Sequence, residues 1–385
     1  MIILFWAVFG IVFYAYLGYL IVMFLLSKLH FQELESDYTI EPSVSLVVAS
    51  YNEEDIIPEK LKNTQALDYP SEKIEQIWVT DGTTDRSNSI LSNVSGLKLL
   101  YEPQRKGKIG ALNRAVPYAS NDILVFSDAN SMLSVNALKE IIKPFSNKKV
   151  GCVAGSKQIS SLDTDNPSIS EGVYWKYEAL IKKFESATGS TIGAAGELFA
   201  IRRELFEPVE PDTILDDFVI ASRIALGGFM VKYAPEALAV ETQSANISEE
   251  MKRKIRISAG GFQTMFRIVG LHNIFKRPGL VLKFWSHKVL RWLIVPFSLI
   301  VLFLLNILIV LNKPEVSYAY SIILWLQILL YLIASLGILL KGKKKIPGWF
   351  FFPYYFVVIN YCQIAGFIKY LRKQQSVNWE KAKRS

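Results

Sequence analysis

The sequence contains very little cysteine and histidine. Its 385 residues include two cysteines, Cys152 and Cys362, and three histidines. The cysteines form no CxxC pair, no zinc spacing and no disulfide framework, which fits a domain in the reducing cytoplasm. The histidines are well separated along the chain, and none lies near another candidate catalytic residue. Serine or cysteine hydrolase chemistry and histidine-rich metal sites are therefore disfavoured.

Two glycine-rich phosphate-binding motifs are also absent. No GxGxxG follows the first predicted strand and no segment fits the P-loop pattern, so neither a dinucleotide dehydrogenase nor a P-loop NTPase is indicated. The net charge is +8, but no basic run is interleaved with aromatic residues, which argues against a nucleic-acid partner. Much of the positive excess lies beside hydrophobic segments, which indicates the positive-inside pattern and attraction to anionic lipid. These residues are Lys283, Lys288, Arg291, Lys341, Lys343, Lys344 and Lys345.

Long hydrophobic runs, in contrast, are present at both ends of the chain. Residues 1–29 hold an apolar run that is long enough to cross a bilayer, with no charge before it and no cleavage site after it, so we expect an uncleaved anchor. Residues 293–311 and 318–340 predict two further spans joined as a hairpin. The sequence KGKKK at 341–345 marks the cytoplasmic side. We therefore expect an integral protein of the inner or plasma membrane with a cytoplasmic catalytic domain.

Two segments of the C-terminal third leave alternatives open. Residues 271–292 predict an amphipathic helix in the membrane interface, or else an ordinary amphipathic helix packed on the soluble domain. Within the membrane region 293–371, the last run at 349–371 is either a further span or a re-entrant hairpin, and a basic tail follows at 372–385. Polar residues in these runs predict hydrogen bonds between helices or a path for a polar product. They are Asn306, Gln327, Asn360 and Gln363.

Residues 40–270 alternate between strand and helix patterns, which predicts an α/β domain with a mostly parallel sheet. Strands are predicted at 44–49, 74–80, 97–101 and 122–126, and helices at 55–66, from residue 85 onward and at 108–118. Ligands of such sheets bind at the carboxyl ends of the strands. Polar clusters follow three of the predicted strands, at 50–53, 81–85 and 127–130.

Two of these clusters suggest a cation site. Asp81 and Asp128 come directly after apolar strands, where a carboxylate reaches a hard cation or the edge of a base. Asp128 and Asn130 place two oxygen ligands on one short turn, which suits Mg²⁺ or Mn²⁺ carrying a diphosphate. Segment 105–110 offers cations and glycine backbone to a phosphate at a helix start. Asp85 is equally well explained as a helix cap.

Seven segments follow one another between residues 43 and 265. They are VSLVVASYNEE, IWVTDGTTDRS, RKGKIGALNRAV, ILVFSDAN, GAAGELFAIRRELF, ILDDFVIASRIALGGFMVKYAPEALAVE and KRKIRISAGGFQ. Taken in this order, they resemble glycosyltransferase family 2, and within it the membrane-embedded polysaccharide synthases that make cellulose, chitin, hyaluronan and poly-N-acetylglucosamine. The resemblance implies a GT-A type, Rossmann-like α/β domain beside α-helical transmembrane segments.

The resemblance implies roles for the donor-side residues. Tyr51 lies against a uracil ring with Glu53 nearby, and Lys108 lies near the nucleotide. Asp81 binds the base or the ribose. In the metal-binding Asp-x-Asp motif, Asp128 matches the first carboxylate. Asn130 matches the second and departs from it, because an amide is a neutral ligand.

On the acceptor side, Asp217 follows Asp216 and matches the catalytic Asp of the family's Thr-Glu-Asp motif. Arg253 and Arg256 match the (Gln/Arg)-x-x-Arg-Trp motif. Ile257 stands in place of the tryptophan that helps to seat the acceptor sugar in processive synthases. Processive and single addition therefore both stay open.

The chemistry of inverting sugar transfer calls for a base at the acceptor hydroxyl and for positive charge at the departing diphosphate. Asp217, with Asp216 beside it, is the expected base, although a helix N-terminus also favours acidic residues. A metal on Asp128, with Arg253 and Arg256 as clamps, neutralises the UDP.

Gly196 and Glu197 either shape the acceptor floor or form a turn that leads into a strand. The sequence thus predicts a metal-dependent transferase that moves a sugar from a UDP-sugar to a growing cell-surface polysaccharide, with accessory export subunits as candidate partners. One alternative is transfer of a single sugar to a polyprenyl phosphate or a glycolipid. A third is a non-catalytic membrane scaffold.

Overall fold

The computed structural model of the chain describes residues 1–29, 41–160, 167–242, 247–312, 315, 317–339 and 348–375. The predicted cytoplasmic marker at 341–345 and residues 376–385 of the predicted basic tail lie outside the described residues.

An eight-stranded sheet forms the centre of the soluble domain. Its strands are β1 Val44–Ser50, β2 Ile74–Asp81, β3 Leu97–Glu102, β4 Ile123–Asp128, β5 Ser131–Leu133, β6 Val150–Ser160, β7 Leu198–Arg202 and β8 Met230–Thr242. The order across the sheet is β3-β2-β1-β4-β7-β6-β8-β5. The first four strands pair in parallel, β7 is antiparallel to both neighbours, and β6 pairs in parallel with β8. The sheet is thus mixed and mostly parallel, as the sequence predicts.

The strand order brings the predicted polar clusters together. β1 is buried at all seven residues, since helices cover both faces of the sheet. It lies between β2 and β4, with Ala49 in register with Asp128 and Ser50 with Thr80. The carboxyl ends of the three strands therefore meet at one edge, and the strand order along the sheet reverses at β1, which is where open α/β sheets bind ligands.

The helices are α1 Ile2–Phe13, α2 Tyr19–Leu29, α3 Ile57–Gln65, α4 Ser87–Ser92, α5 Gly107–Ala115, α6 Ala137–Ile142, α7 Pro167–Ala187, α8 Asp216–Leu226, α9 Ile247–Arg267, α10 Pro278–Phe284, α11 Val295–Asn312, α12 Ser317–Leu339 and α13 Gly348–Leu371. The helix expected from residue 85 begins two residues later. Asp85 instead accepts a hydrogen bond from the Ser87 backbone N–H at 2.9 Å, so it caps the helix start. The helix expected at 108–118 ends at Ala115 and continues as a 3₁₀ turn.

Among the described residues, three helices are long and apolar enough to cross a membrane: Ile2–Leu29, Pro278–Asn312 and Tyr318–Gly337. Short π-helical segments join α1 to α2 and α10 to α11. One continuous helix runs through the expected boundary between an interface segment at 271–292 and a span at 293, and the position of the membrane along it stays a prediction. We call Pro278–Asn312 the membrane helix. The third expected span corresponds to α12.

The basic residues at the start of the membrane helix correct another expectation. Lys283, Lys288 and Arg291 are buried against α7 and do not form an exposed, lipid-attracting surface. The Arg291 guanidinium lies 2.5 Å from Glu178, and Lys288 lies 3.5 Å from the same carboxylate. The alternative prediction, an amphipathic segment packed on the soluble domain, describes this contact.

The last hydrophobic run, 349–371, lies within α13, a single helix with Pro353 inside it. The re-entrant hairpin is therefore not formed, and α13 is not among the three candidate spans in the described residues. Its contacts are chiefly with α9, where the Cβ of an alanine at Gly366 would lie 2.4 Å from Ser258.

Polar residues of the apolar helices bond to one another, which confirms the predicted interhelical role. Asn306 donates to Gln327 at 2.9 Å, and Asn360 donates to the hydroxyl of Tyr16 at 3.1 Å. Such bonds satisfy amide groups that lipid cannot solvate.

Candidate active site

One cavity of about 610 Å³ opens at the carboxyl edge of the sheet. Its wall is formed by the ends of β1 and β4, the start of α8, and parts of α7, α9 and the membrane helix. Most predicted site residues line it. They are Tyr51, Glu53, Lys108, Asp128, Asn130, Gly196, Glu197, Asp216, Asp217, Arg253 and Arg256.

Lys108 links three parts of the predicted site. Its ammonium group lies 2.6 Å from Asp128 and 3.7 Å from Asp216, and it donates a hydrogen bond to the Gly196 carbonyl at 3.1 Å. Burial by itself lowers the pKa of Lys108, but the carboxylates of Asp128 and Asp216 outweigh it and raise the pKa. Lys108 is therefore a permanent cation at the centre of the cavity.

Asp217 has the electrostatic environment of a proton acceptor. Burial, and then the neighbouring charge of Asp216, raise the pKa of Asp217 to about 7. Both residues lie in the first turn of α8, where the helix dipole favours negative charge. A carboxylate with a pKa near neutrality is matched to general-base catalysis, because it accepts a proton readily and is still partly ionised at neutral pH.

The loop before β7 presents Gly196 to this pair. The loop turns at Gly193, whose φ of +80° is a left-handed conformation and whose added Cβ would lie 2.4 Å from Phe218. A Cβ on Gly196 would lie 3.2 Å from the Lys108 ammonium and 3.6 Å from an oxygen of Asp217. Glycine therefore leaves room between the predicted base and the predicted donor site.

Glu197 belongs to a buried ionic group that the sequence did not reveal. The Lys157 ammonium pairs with Glu197 and also with Glu241, from which it lies 2.5 Å away. Arg253 lies 3.4 Å from Glu241. Burial by itself raises the pKa of Glu197, but Lys157 lowers it to about 2, so Glu197 is an ionised structural carboxylate rather than a proton carrier.

The donor-side residues after β1 form an aromatic and cationic surface. The Arg105 guanidinium lies 3.7 Å from the ring centre of Tyr51, a cation–π arrangement. The backbone turns at Asn52 with a φ of +52°, and the Asn52 side chain accepts the Thr84 N–H at 2.9 Å. Glu53 is buried at the cavity wall. These contacts connect the loop after β1 with the loops after β2 and β3.

Asp81 is placed differently from the other predicted donor residues. It is buried, and its carboxylate accepts the backbone N–H groups of Lys106 and Gly107 at 2.9 and 2.7 Å. Burial raises its pKa, and these hydrogen bonds partly offset the effect. Asp81 is not among the described residues that line the cavity. It anchors the start of α5, the helix that carries Lys108, and its predicted contact with the base or ribose stays a prediction.

The turn that carries Asp128 and Asn130 is supported from behind by Lys60. This lysine is fully buried, and its ammonium donates to the Ser127 hydroxyl at 2.9 Å and to the Ser131 carbonyl. Burial lowers the pKa of Lys60 to about 7. The sequence signal was present but easily missed, since Lys60 occupies an inward position of α3 beside Leu61 and Ile57.

The ligand set at this turn fits a divalent cation that also binds phosphate oxygens. Asp128 and Asn130 offer two oxygen ligands, and no cluster of three or more His, Cys, Asp or Glu residues in the described segments forms a complete metal cage. Charged side chains of both signs surround this turn. The carboxylates are Asp128, Glu197, Asp216, Asp217 and Glu241, and the cations are Lys108, Lys157, Arg253 and Arg256.

α9 carries the two predicted arginine clamps and packs against residues 212–215, the loop before the predicted base, which we call the catalytic loop. Arg256 and Ile257 line the cavity, and Ile257 is half-exposed to it. A Cβ on Gly260 would lie 2.7 Å from Ile214, just before Asp216. A Cβ on Gly261 would lie 2.5 Å from the Trp292 ring. The two glycines let α9 pack tightly between the catalytic loop and the membrane helix.

Several cavity residues were not predicted. Trp175, Glu178 and Lys182 come from α7, and Lys288 and Trp292 come from the membrane helix. A signal existed on α7, because Glu178 and Glu185 are seven residues apart and so lie on one helix face. Their partners are distant in sequence, and no local pattern pairs the two elements.

Comparison with known families supports this geometry. Residues 45–209 match the family model described as glycosyl transferase family 2. The match begins in β1, ends after β7, and includes the turn that carries Asp128.

Two similar curated proteins are both named poly-beta-1,6-N-acetyl-D-glucosamine synthase, and both come from Staphylococcus epidermidis. One is 24% identical over 241 residues, which are 61% of this chain and 58% of that protein. The other is 23% identical over 361 residues, which are 89% of this chain and 87% of that protein. The match therefore spans little more than half of the first relative and most of the second.

Among solved structures, a mannosyltransferase from Pyrobaculum calidifontis, in complex with GDP-Man and Mn²⁺, is similar over nearly the whole length. The alignment covers 96% of this chain and 99% of that protein, with a TM-score of 0.73 and 22% identity. At this identity the likeness shows a shared fold.

Proposed function

We propose that the chain, which matches the family model of glycosyl transferase family 2 over residues 45–209, transfers a sugar from a UDP-sugar to a growing polysaccharide acceptor at the cytoplasmic face of a membrane. One observation carries the proposal. The turn of Asp128, the cation Lys108 and the raised-pKa carboxylate Asp217 meet in one cavity, and part of its wall is a membrane helix.

Asp217 acts as the base in this proposal. It accepts the proton of the acceptor hydroxyl as the sugar transfers with inversion. Lys108 and the two arginines of α9, Arg253 and Arg256, lie where negative charge builds up on the departing diphosphate. Gly196 leaves the space in which donor and acceptor meet.

The proposed cofactor is Mg²⁺ or Mn²⁺, held by Asp128 and Asn130. When bound, the ion would supply positive charge to the diphosphate oxygens. The small protein ligand set supports a divalent cation of this kind, because Mg²⁺ is usually bound through one or two protein ligands together with substrate phosphates. Mn²⁺ is also named in the mannosyltransferase complex of similar fold.

The acceptor is proposed from the curated relatives, whose printed name is that of a polymer synthase. A second candidate, addition of one sugar to a lipid acceptor, has its own support. Ile257 faces the cavity where processive synthases use tryptophan, and Lys288 and Trp292 of the membrane helix line the same space.

Product length separates the two candidates. Purified protein with Mn²⁺ would be incubated with UDP-glucose, UDP-galactose, UDP-N-acetylglucosamine, UDP-glucuronate or GDP-mannose, and nucleotide release and products would be measured. A ladder of oligomers from a UDP-sugar supports polymer synthesis, whereas one labelled glycolipid supports lipid glycosylation. If no nucleotide sugar is bound or consumed, the scaffold hypothesis replaces both.

A further inference from the structure

A second group of residues lines the cavity and comes from other elements than the predicted metal turn. We call it the membrane-side wall and define it as Glu178 and Lys182 of α7 with Lys288 and Trp292 of the membrane helix. These residues play no part in the proposed proton transfer or in holding the nucleotide.

The buried charges around this wall do not balance. Glu178 is shared by Arg291 at 2.5 Å, His287 at 3.1 Å and Lys288 at 3.5 Å. The second carboxylate, Glu185, accepts hydrogen bonds from Tyr19 at 2.6 Å and contacts His287 Nδ1 at 2.8 Å. Neither carboxylate has an ion pair with Lys182 among the described residues.

Another cation in the group is accounted for. Lys283 donates to the carbonyls of Glu185, Thr188 and Ser190 at 2.9, 3.2 and 2.9 Å. These carbonyls lie at and beyond the C-terminal end of α7, where the helix dipole favours positive charge. The hydrogen-bond donors of Lys283 are therefore satisfied by the backbone.

Lys182 is the remaining cation of this group and has no counter-ion among the described residues. Its side chain is buried, with the residue only 8% exposed. Its contact is with the Tyr233 ring, 5.9 Å from the ammonium, and it has no hydrogen bond or ion pair among the residues that the structure describes. It lies close enough to Lys288 for the two to repel each other. A largely buried lysine that lines a cavity and has no counter-ion favours the binding of an anion there.

The position of the wall along the membrane helix indicates where that anion comes from. The helix has 35 residues, and roughly 20 are enough to cross the hydrocarbon core. If its apolar end, from about residue 293 to Asn312, occupies the core, Lys288 and Trp292 lie at the depth of the lipid headgroups. Tryptophan and lysine are typical residues at that depth.

We propose that Lys182 and Lys288 form a binding subsite for the phosphate group of a membrane lipid, whose headgroup enters the cavity beside Trp292. The subsite is separate from the predicted nucleotide site at Asp128 and Lys108. That the lipid phosphate lies on the acceptor side of the reaction rests on the proposed function. The binding itself does not.

Native mass spectrometry of the full chain in maltoside detergent tests the proposal. Phosphatidic acid would be titrated against diacylglycerol, which has the same tails and no phosphate. We expect phosphatidic acid alone to form a one-to-one complex. Lys182→Gln and Lys288→Gln should each weaken it about tenfold or more, the usual effect of losing a hydrogen bond to a charged group. Lys183→Gln is the matched control, because Lys183 is the exposed neighbour of Lys182 on α7.

Two results would overturn the lipid assignment: equal binding of both lipids, or equal phosphatidic acid affinity in Lys182→Gln and Lys183→Gln. A third arm adds inorganic phosphate without lipid. If phosphate binds as tightly as the lipid does, the ligand is the free ion and the lipid assignment fails.

Two controls keep the result interpretable. Lys182→Arg retains the charge and should recover most of the binding, so a loss through misfolding is distinguished from a loss of charge. UDP-sugar turnover is measured on the same samples. Selective lipid binding without turnover would refute the proposed function and leave this inference standing, whereas turnover without selective binding would do the reverse.

Discussion

The ammonium group of Lys108 lies 2.6 Å from a carboxylate oxygen of Asp128, the residue expected to bind the metal. Without a nucleotide sugar, Lys108 therefore supplies the positive charge that a metal ion would otherwise supply to Asp128. A divalent ion and Lys108 compete for the same carboxylate until a diphosphate arrives with enough negative charge for both. Donor and metal are then expected to bind cooperatively.

Substitution Lys108→Gln should separate the two ligands. Without the ammonium, Asp128 is free for the ion, so the affinity for Mn²⁺ alone should rise several-fold. The affinity for the UDP-sugar should fall by about tenfold or more, because a charge-assisted contact to the diphosphate is lost. Isothermal titration of Mn²⁺ with and without UDP measures both. Weaker Mn²⁺ binding to the variant in the absence of UDP would contradict the competition.

Substitution Asp217→Asn should abolish transfer while leaving donor binding nearly intact. The amide fills the same space and cannot accept the proton, and a positioned general base contributes about 10²–10⁴-fold. The turnover rate should fall by that factor with little change in the Kd for UDP. Asp122→Asn is the control, since Asp122 is a carboxylate that is 99% exposed before β4. Preserved turnover in Asp217→Asn would remove this residue from the mechanism.

The rate should depend on pH through Asp217. Its pKa of about 7 means that the ionised, base-competent form increases between about pH 6 and 8, so kcat/KM should rise with a midpoint near 7. The profile is measured at saturating Mn²⁺ with a UDP-release assay. A flat profile across this window would show that proton transfer to Asp217 does not limit the rate.

The raised pKa of Asp217 also predicts that ionisation of this residue lowers the stability of the folded protein. Burial, and then the charge of Asp216, raise the pKa in the folded state above the ordinary value of 3.8, so the folded protein favours the protonated carboxyl. The associated stability is present below pH 4 and is lost as the pH rises through 7. Asp217→Asn should therefore raise the melting temperature at pH 8 and change it little at pH 4. Thermal unfolding of both proteins at the two pH values checks the sign.

Substitution Lys157→Met should destabilise the acceptor floor. The Lys157 side chain is 2% exposed and neutralises Glu197 and Glu241. Removing one partner of a buried ion pair typically costs about 3–5 kcal/mol, because the remaining charges stay buried and unpaired. Urea unfolding should show this loss. Lys149→Met, at an exposed position just before β6, should change the unfolding free energy by no more than about 0.5 kcal/mol.

The sequence predicted well those residues whose structural position depends on their immediate neighbours in the chain. The strand before Asp128 is apolar along its length, and the acid that ends it marks the sheet edge. The basic residues of the membrane helix were misassigned, because a lysine or arginine beside a hydrophobic run has the same local pattern whether it faces headgroups or protein. Only the fold brings Lys288 and Arg291 onto Glu178, more than a hundred positions earlier in the chain.

Lys60 and Lys157 escaped prediction for a related reason. Each is a charged residue in a buried place, and burial of a lysine depends on partners that come from other elements. Lys60 finds its acceptors on both sides of Asp128, and Lys157 finds Glu241 across the β6–β8 pair. Hydrophobic periodicity carries no information about such pairing.

Because the helix Pro278–Asn312 is unbroken, it fixes both the distance and the rotation between its first and second halves. Arg291 and Lys288 hold its first half against α7 through ion pairs with Glu178, and its second half is apolar. Every added residue advances a helix by about 1.5 Å and turns it by about 100°. A single insertion between Trp292 and Pro296 would thus leave the cavity residues in place and rotate the apolar half relative to α1. The distance between the cavity and the apolar half can therefore change without loss of the packing on α1 only in steps of about one helical turn.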